Sequence, residues 1–230
     1  MFIPPFCNLL IDADDTLWEN NIYFERVIAE VQALLCPLGV DPHTFRLHLN
    51  EKEREHIPIH GYGTLNFTRS LAEAFNDFLP ENADKSLKKK VEFMALGIMN
   101  HPLELLEGVP ETLSYLSGRH VLFLVTKGDP AEQMRKIEVS SLRHYFKGIE
   151  ILPEKNDTVF RGLLDKHGWN PDKTWMIGNS PRSDINPAIS AGMNAVYIPH
   201  PHTWVLEHEE PVRHPRLIEL EKFSDLRYRF

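Results

Sequence analysis

Cysteine is scarce in this chain, and its scarcity narrows the possibilities at once. Only Cys7 and Cys36 occur among 230 residues. Two are too few for a disulfide framework, and neither sits in a CxxC or Cys/His spacing that would hold zinc. A reducing compartment is therefore expected, and with it a cytoplasmic location. Clustered positive charge is missing as well. The net charge is -8, and the short run Lys88-Lys89-Lys90 reads as a solvated helix face, so neither a nucleic acid nor a membrane is an expected partner. Long apolar runs are also lacking. The densest, Val121 to Val125, falls far short of the roughly 20 residues needed to cross a bilayer. Residues Met1 to Ile11 carry no basic leader and run directly into Asp12-Ala13-Asp14-Asp15, so no export signal is expected. Internal repeats and low-complexity segments are absent.

What is present is an apolar fraction of 42%, enough for one substantial core and a smaller attached domain. Strand-type apolar runs occur at Cys7 to Ile11, Val121 to Val125, Ile149 to Leu152, Thr174 to Ile177 and Ala195 to Ile198. Helical periodicity precedes the second run at Val109 to Leu116. It follows the second at Pro130 to Leu142, the third at Asp157 to His167 and the fourth at Ser183 to Ala191. Alternating strands and helices predict an α/β fold, a doubly wound parallel sheet covered on both faces.

Between the first and second runs lie about 90 residues without a convincing strand. Amphipathic patterns at Ile22 to Leu38, Pro42 to His56, Leu65 to Phe78 and Lys85 to Met99, punctuated by Gly39, Pro58, Gly61, Gly63 and Pro80, predict a helical insertion. The expected division is a core of residues 1–18 and 101–230 with a helical cap domain of residues 19–100. The tail from His200 to Phe230 reads as irregular apart from a helix near Leu217 to Phe223.

The chemistry collects after the strands. Asp12 and Asp14 follow the first, Thr126 and Lys127 the second, Lys155 the third, and Gly178-Asn179-Ser180 the fourth, with Asp184 one turn further on. Open parallel sheets place ligands where their strands end. Carboxylates, a hydroxyl and ammonium groups converging there suit a phosphate and a hard metal ion, because carboxylate oxygens hold Mg²⁺ and cations neutralise the phosphoryl group.

In order and spacing, these segments resemble the haloacid dehalogenase superfamily. Asp12-Ala13-Asp14-Asp15-Thr16-Leu17 is similar to its first motif, Leu124-Val125-Thr126 to its second, Pro153-Glu154-Lys155 to its third, and Gly178 through Asp184 to its fourth. The insertion lies between the first and second motifs, whereas 28 residues separate Thr126 from Lys155. That pattern resembles members with a helical cap in the first position.

The resemblance implies a Rossmann-like core and a Mg²⁺-dependent phosphatase acting on a small phosphorylated metabolite, as monomer or homodimer. Asp12 would be the nucleophile, forming an aspartyl-phosphate, and Asp14 the general acid and base. Thr126, Lys127 and Lys155 would hold the phosphate. The metal would be bound by Asp12, the backbone carbonyl of Asp14, Asn179 and Asp184. An acid at position 14 favours phosphatase over dehalogenase, which has no leaving alcohol to protonate. Asn179 departs from the aspartate common among relatives and brings no charge to the metal. Loss of turnover through Asn179 would leave a binding or regulatory protein.

Plainer readings compete. Asp12, Asp14 and Asp15 resemble the start of a calcium loop, but the sixth position is Leu17 rather than Gly and the twelfth is Tyr23. Asn179 and Ser180 also suit a helix cap, and Asp184 its first turn. His200, His202 and His208 lack metal-site spacing and are expected at the surface or in packing. His56, His60, Tyr62 and Arg69 lie in or beside the glycine-bearing segment of the insertion, where they read equally as substrate-facing or as a polar surface loop.

Overall fold

The computed structural model describes residues 6–81, 83–84 and 86–230. After the first strand, β1 (Asn8–Ile11), come four helices: α1 (Asn21–Leu35), α2 (Pro42–His60), α3 (Thr64–Asp77) and α4 (Ser86–Leu96). The chain then returns through α5 (Val109–Ser117), β2 (Val121–Lys127), α6 (Pro130–Val139) and β3 (Gly148–Leu152). It closes with α7 (Asp157–His167), β4 (Thr174–Gly178), α8 (Asn186–Ser190), β5 (Asn194–Tyr197) and β6 (Leu217–Glu219). Two compact units result, one of Met1–Glu19 and Leu103–Phe230, the other of Asn20–Pro102.

The first unit is an α/β layer structure. Its six strands are all parallel in the order β3-β2-β1-β4-β5-β6. Side chains of a strand alternate between faces, and this sequence supplies an apolar residue at nearly every position because both faces are covered. Leu9 and Ile11 of β1, Leu122 and Leu124 of β2, and Trp175 and Ile177 of β4 pack with Val109, Leu113 and Leu116 of α5. The intervening Leu10, Phe123, Val125 and Met176 pack on the opposite face with Phe160, Leu163 and Leu164 of α7. After β3 the chain crosses to the far side of β1 and lays down β4. The switch point therefore falls at the ends of β1, β2 and β4.

Helix starts follow local chemistry. Asp129 accepts the backbone N–H of Glu132 (2.9 Å) before Pro130 opens α6, and Asn156 accepts that of Val159 (2.9 Å) at the start of α7. Such caps contribute about 1 kcal/mol each. Gly168 at φ 63° ends α7 in the left-handed conformation that glycine tolerates.

Two segments of this unit that flank the insertion pair with each other. Glu19 N–H donates to the Glu104 carbonyl (2.9 Å), Leu106 N–H donates to that of Leu17 (3.0 Å), and Trp18 bridges Leu105 in antiparallel fashion.

The second unit packs four helices around its own apolar centre. Val27, Ile28, Val31 and Leu35 of α1 meet Phe45 and Leu49 of α2, Phe67, Leu71 and Phe75 of α3, and Val91 and Ala95 of α4. These spacings of three and four are those of helices burying one face.

Three expectations need correction. The tail contributes a sixth parallel strand, with Leu217, Ile218 and Glu219 registered on Ala195, Val196 and Tyr197, and the helical turn comes later at Phe223–Tyr228. Helix α2 continues through Pro58 to His60, because a proline in the last turn costs one hydrogen bond while the flanking turns hold. The pattern read as one helix from Ser183 to Ala191 is a π-helical turn, Pro181–Ile185, leading into α8. The expected start of the fourth inserted helix at Lys85, and residues 1–5 of the expected leaderless N-terminus, lie outside the described residues. Among the described residues no helix is long and apolar enough to cross a membrane.

Candidate active site

Asp12 is the first residue beyond β1, and its N–H donates to the Ile177 carbonyl of β4 (2.9 Å), which extends the ladder by one step. The chain then turns sharply: Leu17 N–H donates to the Ala13 carbonyl (2.8 Å), and Asp15 takes a φ of 58°. This turn returns the Thr16 hydroxyl to the carboxylate it left, with Oγ1 3.0 Å from Asp12 Oδ2 and 3.3 Å from Asn179 Oδ1. A hydroxyl carries one hydrogen, so Thr16 can serve only one of those oxygens at a time. Asn179 Nδ2 donates to Thr203 Oγ1 (3.0 Å), which leaves the amide oxygen turned toward the Thr16 hydroxyl.

Lys155 reaches the same place from the loop after β3. Its ammonium lies 2.5 Å from Asp12 Oδ1 and 2.6 Å from Asp184 Oδ1, and the residue is buried. Burial alone would lower the lysine pKa, but the two carboxylates overrule it and hold the group firmly charged. Asp184 is also buried. Burial pushes its carboxyl up to about 7, with Lys155 opposing and the nearby Asp12 adding to the rise.

The π-helical turn after β4 is what brings Asp184 inward. Asp184 and Ile185 both donate their N–H to the Ser180 carbonyl (2.9 and 3.2 Å), and Asp184 Oδ2 accepts the Ser180 N–H (3.1 Å). Ser180 caps the turn by accepting the Ser183 N–H (2.9 Å), so the capping reading holds for Ser180 while the Asn179 amide oxygen faces the Thr16 hydroxyl. Gly178 makes room for the carboxylate.

Thr126 is buried within β2, which runs two residues further than its apolar stretch suggests. Lys127, at the end of that strand, points into a different network. Its ammonium is 2.6 Å from Glu207 Oε1, 2.9 Å from Ser183 Oγ and 3.4 Å from Glu154 Oε1, while Ser180 Oγ donates to Glu207 Oε2 (2.6 Å). Glu154 in turn accepts the Lys155 N–H (2.8 Å). Lys127 thus ties the loops after β3 and β4 to the tail. Glu207 lies in a short turn far along the chain, outside every motif segment, and only the fold brings it here.

Asp14 is surrounded by donors. Lys136 Nζ is 2.6 and 2.7 Å from its two oxygens, Trp18 Nε1 donates to Oδ1 (2.7 Å), and Gln133 Nε2 donates to Oδ2 (2.8 Å). Burial would raise the Asp14 carboxyl pKa, but the Lys136 charge and the three sets of hydrogen bonds bring it below its ordinary value. Sequence reasoning missed Lys136 and Gln133. Their signal was available: at positions 133, 136 and 137 a Gln and a Lys share the helix face of buried Ile137.

A further donor group forms beside this turn. The Asp15 and Glu19 carboxylates and the His200 imidazole each offer a ligand atom, all within 4.8 Å of one another. His200, expected at the surface or in packing, lies 3.4 Å from Glu19 and 3.7 Å from Asp15. In the helical unit, His56 contacts Ser70 Oγ (3.0 Å) and Glu73 (3.3 Å).

Asp12, Asn179 and Asp184 offer only oxygen atoms, with Asp12 Oδ2 and Asn179 Oδ1 drawn to one hydroxyl. Hard oxygen donors with two carboxylates offset by a single lysine suit a divalent cation such as Mg²⁺. A carboxylate poised beside an ammonium and a cation is in turn suited to attack an anionic electrophile.

Known proteins resemble this chain in sequence and in fold. The chain is 25% identical over 133 residues to human N-acylneuraminate-9-phosphatase, covering 56% of this chain and 54% of that protein. It is 29% identical over 123 residues to the glyceraldehyde 3-phosphate phosphatase of Methanothermobacter thermautotrophicus, covering 48% and 54%. It thus spans about half the length of these curated relatives. A haloacid dehalogenase-like family hydrolase from Xanthomonas campestris superposes with a TM-score of 0.86 at 28% identity, over 98% of this chain and 90% of that one. The family model of haloacid dehalogenase-like hydrolases matches residues 8–192, from the first strand to beyond the π-helical turn. With that match spanning all four motif segments, the chain belongs to the haloacid dehalogenase-like hydrolases.

Proposed function

We propose that this chain is a Mg²⁺-dependent phosphatase acting on a small phosphate ester through an aspartyl-phosphate at Asp12. The observation that carries the reading is the pairing, on one turn, of Asp12 against Lys155 with a second acid, Asp14, two residues on. The phosphatase names of two relatives support it.

In the first half-reaction a carboxylate oxygen of Asp12 bonds to phosphorus as the ester oxygen departs, and Asp14 gives that oxygen a proton. In the second, water attacks phosphorus, Asp14 takes the water's proton, and the Asp12 carboxylate is restored as phosphate leaves. The proton lent in the first half returns in the second. Lys136 favours the carboxylate form of Asp14, the form that the second half needs. Lys155 offsets charge on Asp12 and on the phosphoryl oxygens, and the Thr126 hydroxyl donates to those oxygens. Mg²⁺, held by Asp12, the Asp14 carbonyl, Asn179 and Asp184, would supply charge neutralisation and alignment of the phosphoryl group. Lys127 is assigned a bracing role on Glu207 and Ser183 in place of the expected phosphate contact.

The unit Asn20–Pro102 is read as the cap that selects the substrate, and a cytoplasmic monomer or homodimer as the working form. Phosphate release from a panel of phosphorylated metabolites and an aryl phosphate, with Mg²⁺ and with chelator, tests the proposal. Failure to release phosphate from any substrate with Mg²⁺ present would overturn it.

A further inference from the structure

Three side chains outside the four motif segments or away from their acidic positions converge on the Asp14 carboxylate. Lys136 and Gln133 stand one turn apart on α6, so they share a face, and Trp18 comes from the end of the Asp12 turn. Together they engage both oxygens: Oδ1 faces Trp18 (2.7 Å) and Lys136 (2.6 Å), and Oδ2 faces Gln133 (2.8 Å) and Lys136 (2.7 Å). Rotation of the carboxylate about its last bond would break contacts at both ends.

The support for this grip is itself built in. Gln133 Nε2 also donates to the Lys127 carbonyl (3.0 Å), and with acceptors on both sides the nitrogen end of the amide must face Asp14. Gly128 lies beside it at φ 146°, and a Cβ there would fall 2.7 Å from Gln133 Nε2. The Gln133 amide therefore occupies space that any other residue at 128 would contest. Lys136 is only 10% exposed and Asp14 21%, so water competes weakly for either.

We infer that Lys136 and Gln133 are positioning residues that, with Trp18, lock the Asp14 carboxylate in the orientation needed for proton transfer at the leaving oxygen. The inference rests on the acid/base reading of Asp14 given above. Lys136 suits the task because its ammonium spans both oxygens. When one oxygen takes the proton, one of the two donors on that oxygen gives way to it, and the ammonium keeps its hold on the other oxygen. A group aligned in advance spares the reaction a search over orientations.

The test uses the purified full chain with an alkyl phosphate it hydrolyses and with p-nitrophenyl phosphate, whose leaving group needs little protonation. Lys136→Met should lower kcat on the alkyl ester by roughly 10- to 100-fold with KM changed less than about threefold. The loss on p-nitrophenyl phosphate should be at least about fivefold smaller. Lys136→Arg should restore part of the alkyl rate. The double variant Asp14→Asn/Lys136→Met should be no slower than Asp14→Asn, since nothing remains to be aligned. Equal losses on both esters, a loss in KM alone, or multiplying losses in the double variant would overturn the inference. So would a silent Lys136→Met alongside a damaging Asp14→Asn. If Asp14→Asn itself spares the alkyl rate, the acid/base reading fails first and the inference with it. Should Lys136→Met not fold, Gln133→Leu carries the same comparisons.

Discussion

A Cβ on Gly178 would lie 2.2 Å from Oδ2 of Asp184. No side chain fits there while that carboxylate keeps its hold on the Ser180 N–H and on Lys155. Gly178→Ala should therefore displace Asp184 and cost on the order of 10²-fold or more in kcat/KM. The Mg²⁺ requirement should rise with it. Thermal unfolding should move by only a few degrees, since the clash is with a side chain in the site. Activity within threefold of wild type would show that Asp184 does not need its present place.

Asp12→Asn should reduce turnover by roughly 10³-fold or more while leaving the fold intact, because an amide cannot form the phosphoryl bond. Rapid acid quench of the wild-type chain with a ³²P-labelled substrate should trap label on the protein, and the variant should trap none. Label on the variant would place the nucleophile elsewhere.

Asn179 is the one neutral side chain in the expected metal set. Asn179→Asp adds a charge and should lower the Mg²⁺ concentration for half-maximal rate, with ~1.4 kcal/mol corresponding to tenfold. The same charge should raise KM for a phosphate dianion. Asn179→Leu should raise the Mg²⁺ requirement, and Asp184→Asn should raise it further. Rate against Mg²⁺ concentration for the three variants is the measurement, and three unshifted curves would remove Asn179 and Asp184 from the metal shell.

Glu207 shapes the acid limb of stability. Burial would raise its pKa, but Lys127 and the serine hydroxyls hold it below the ordinary value of 4.5. A carboxyl whose pKa is lowered by folding adds stability above the unfolded value and loses it as pH falls through the folded one. Glu207→Gln should thus be less stable than wild type at pH 7, by roughly 1–3 kcal/mol. The gap should close below the ordinary value. Tm measured from pH 7 to pH 3 checks this, and a gap independent of pH would contradict it.

Much of the core was legible because its strands are buried on both faces and read as unbroken apolar runs. Leu9-Leu10-Ile11 and Val121 to Val125 need no alternation to be recognised. The acids after them announce themselves by position. What escaped the sequence depends on contacts between distant segments. Lys127 follows Thr126 directly, and only folding of the tail brings Glu207 against it. Strand β6 has three residues, too short for a period, and its apolar Leu217 and Ile218 sit among charges that read as a helix. The π-helical turn was invisible because one extra residue in a turn leaves no compositional trace, though it decides where Asp184 points.

The pairing of Leu17, Trp18 and Glu19 with Glu104, Leu105 and Leu106 means that the chain leaves the α/β unit and re-enters it at one place. Because exit and return are already fastened to each other, the loop they enclose can change in length at little entropic cost to the sheet. Evolution or an engineer can therefore exchange the helical insert for another, or for a short linker, without redesigning the scaffold that carries Asp12. In this architecture the helical insert is detachable from the sheet that carries Asp12, as a tool head is from its handle.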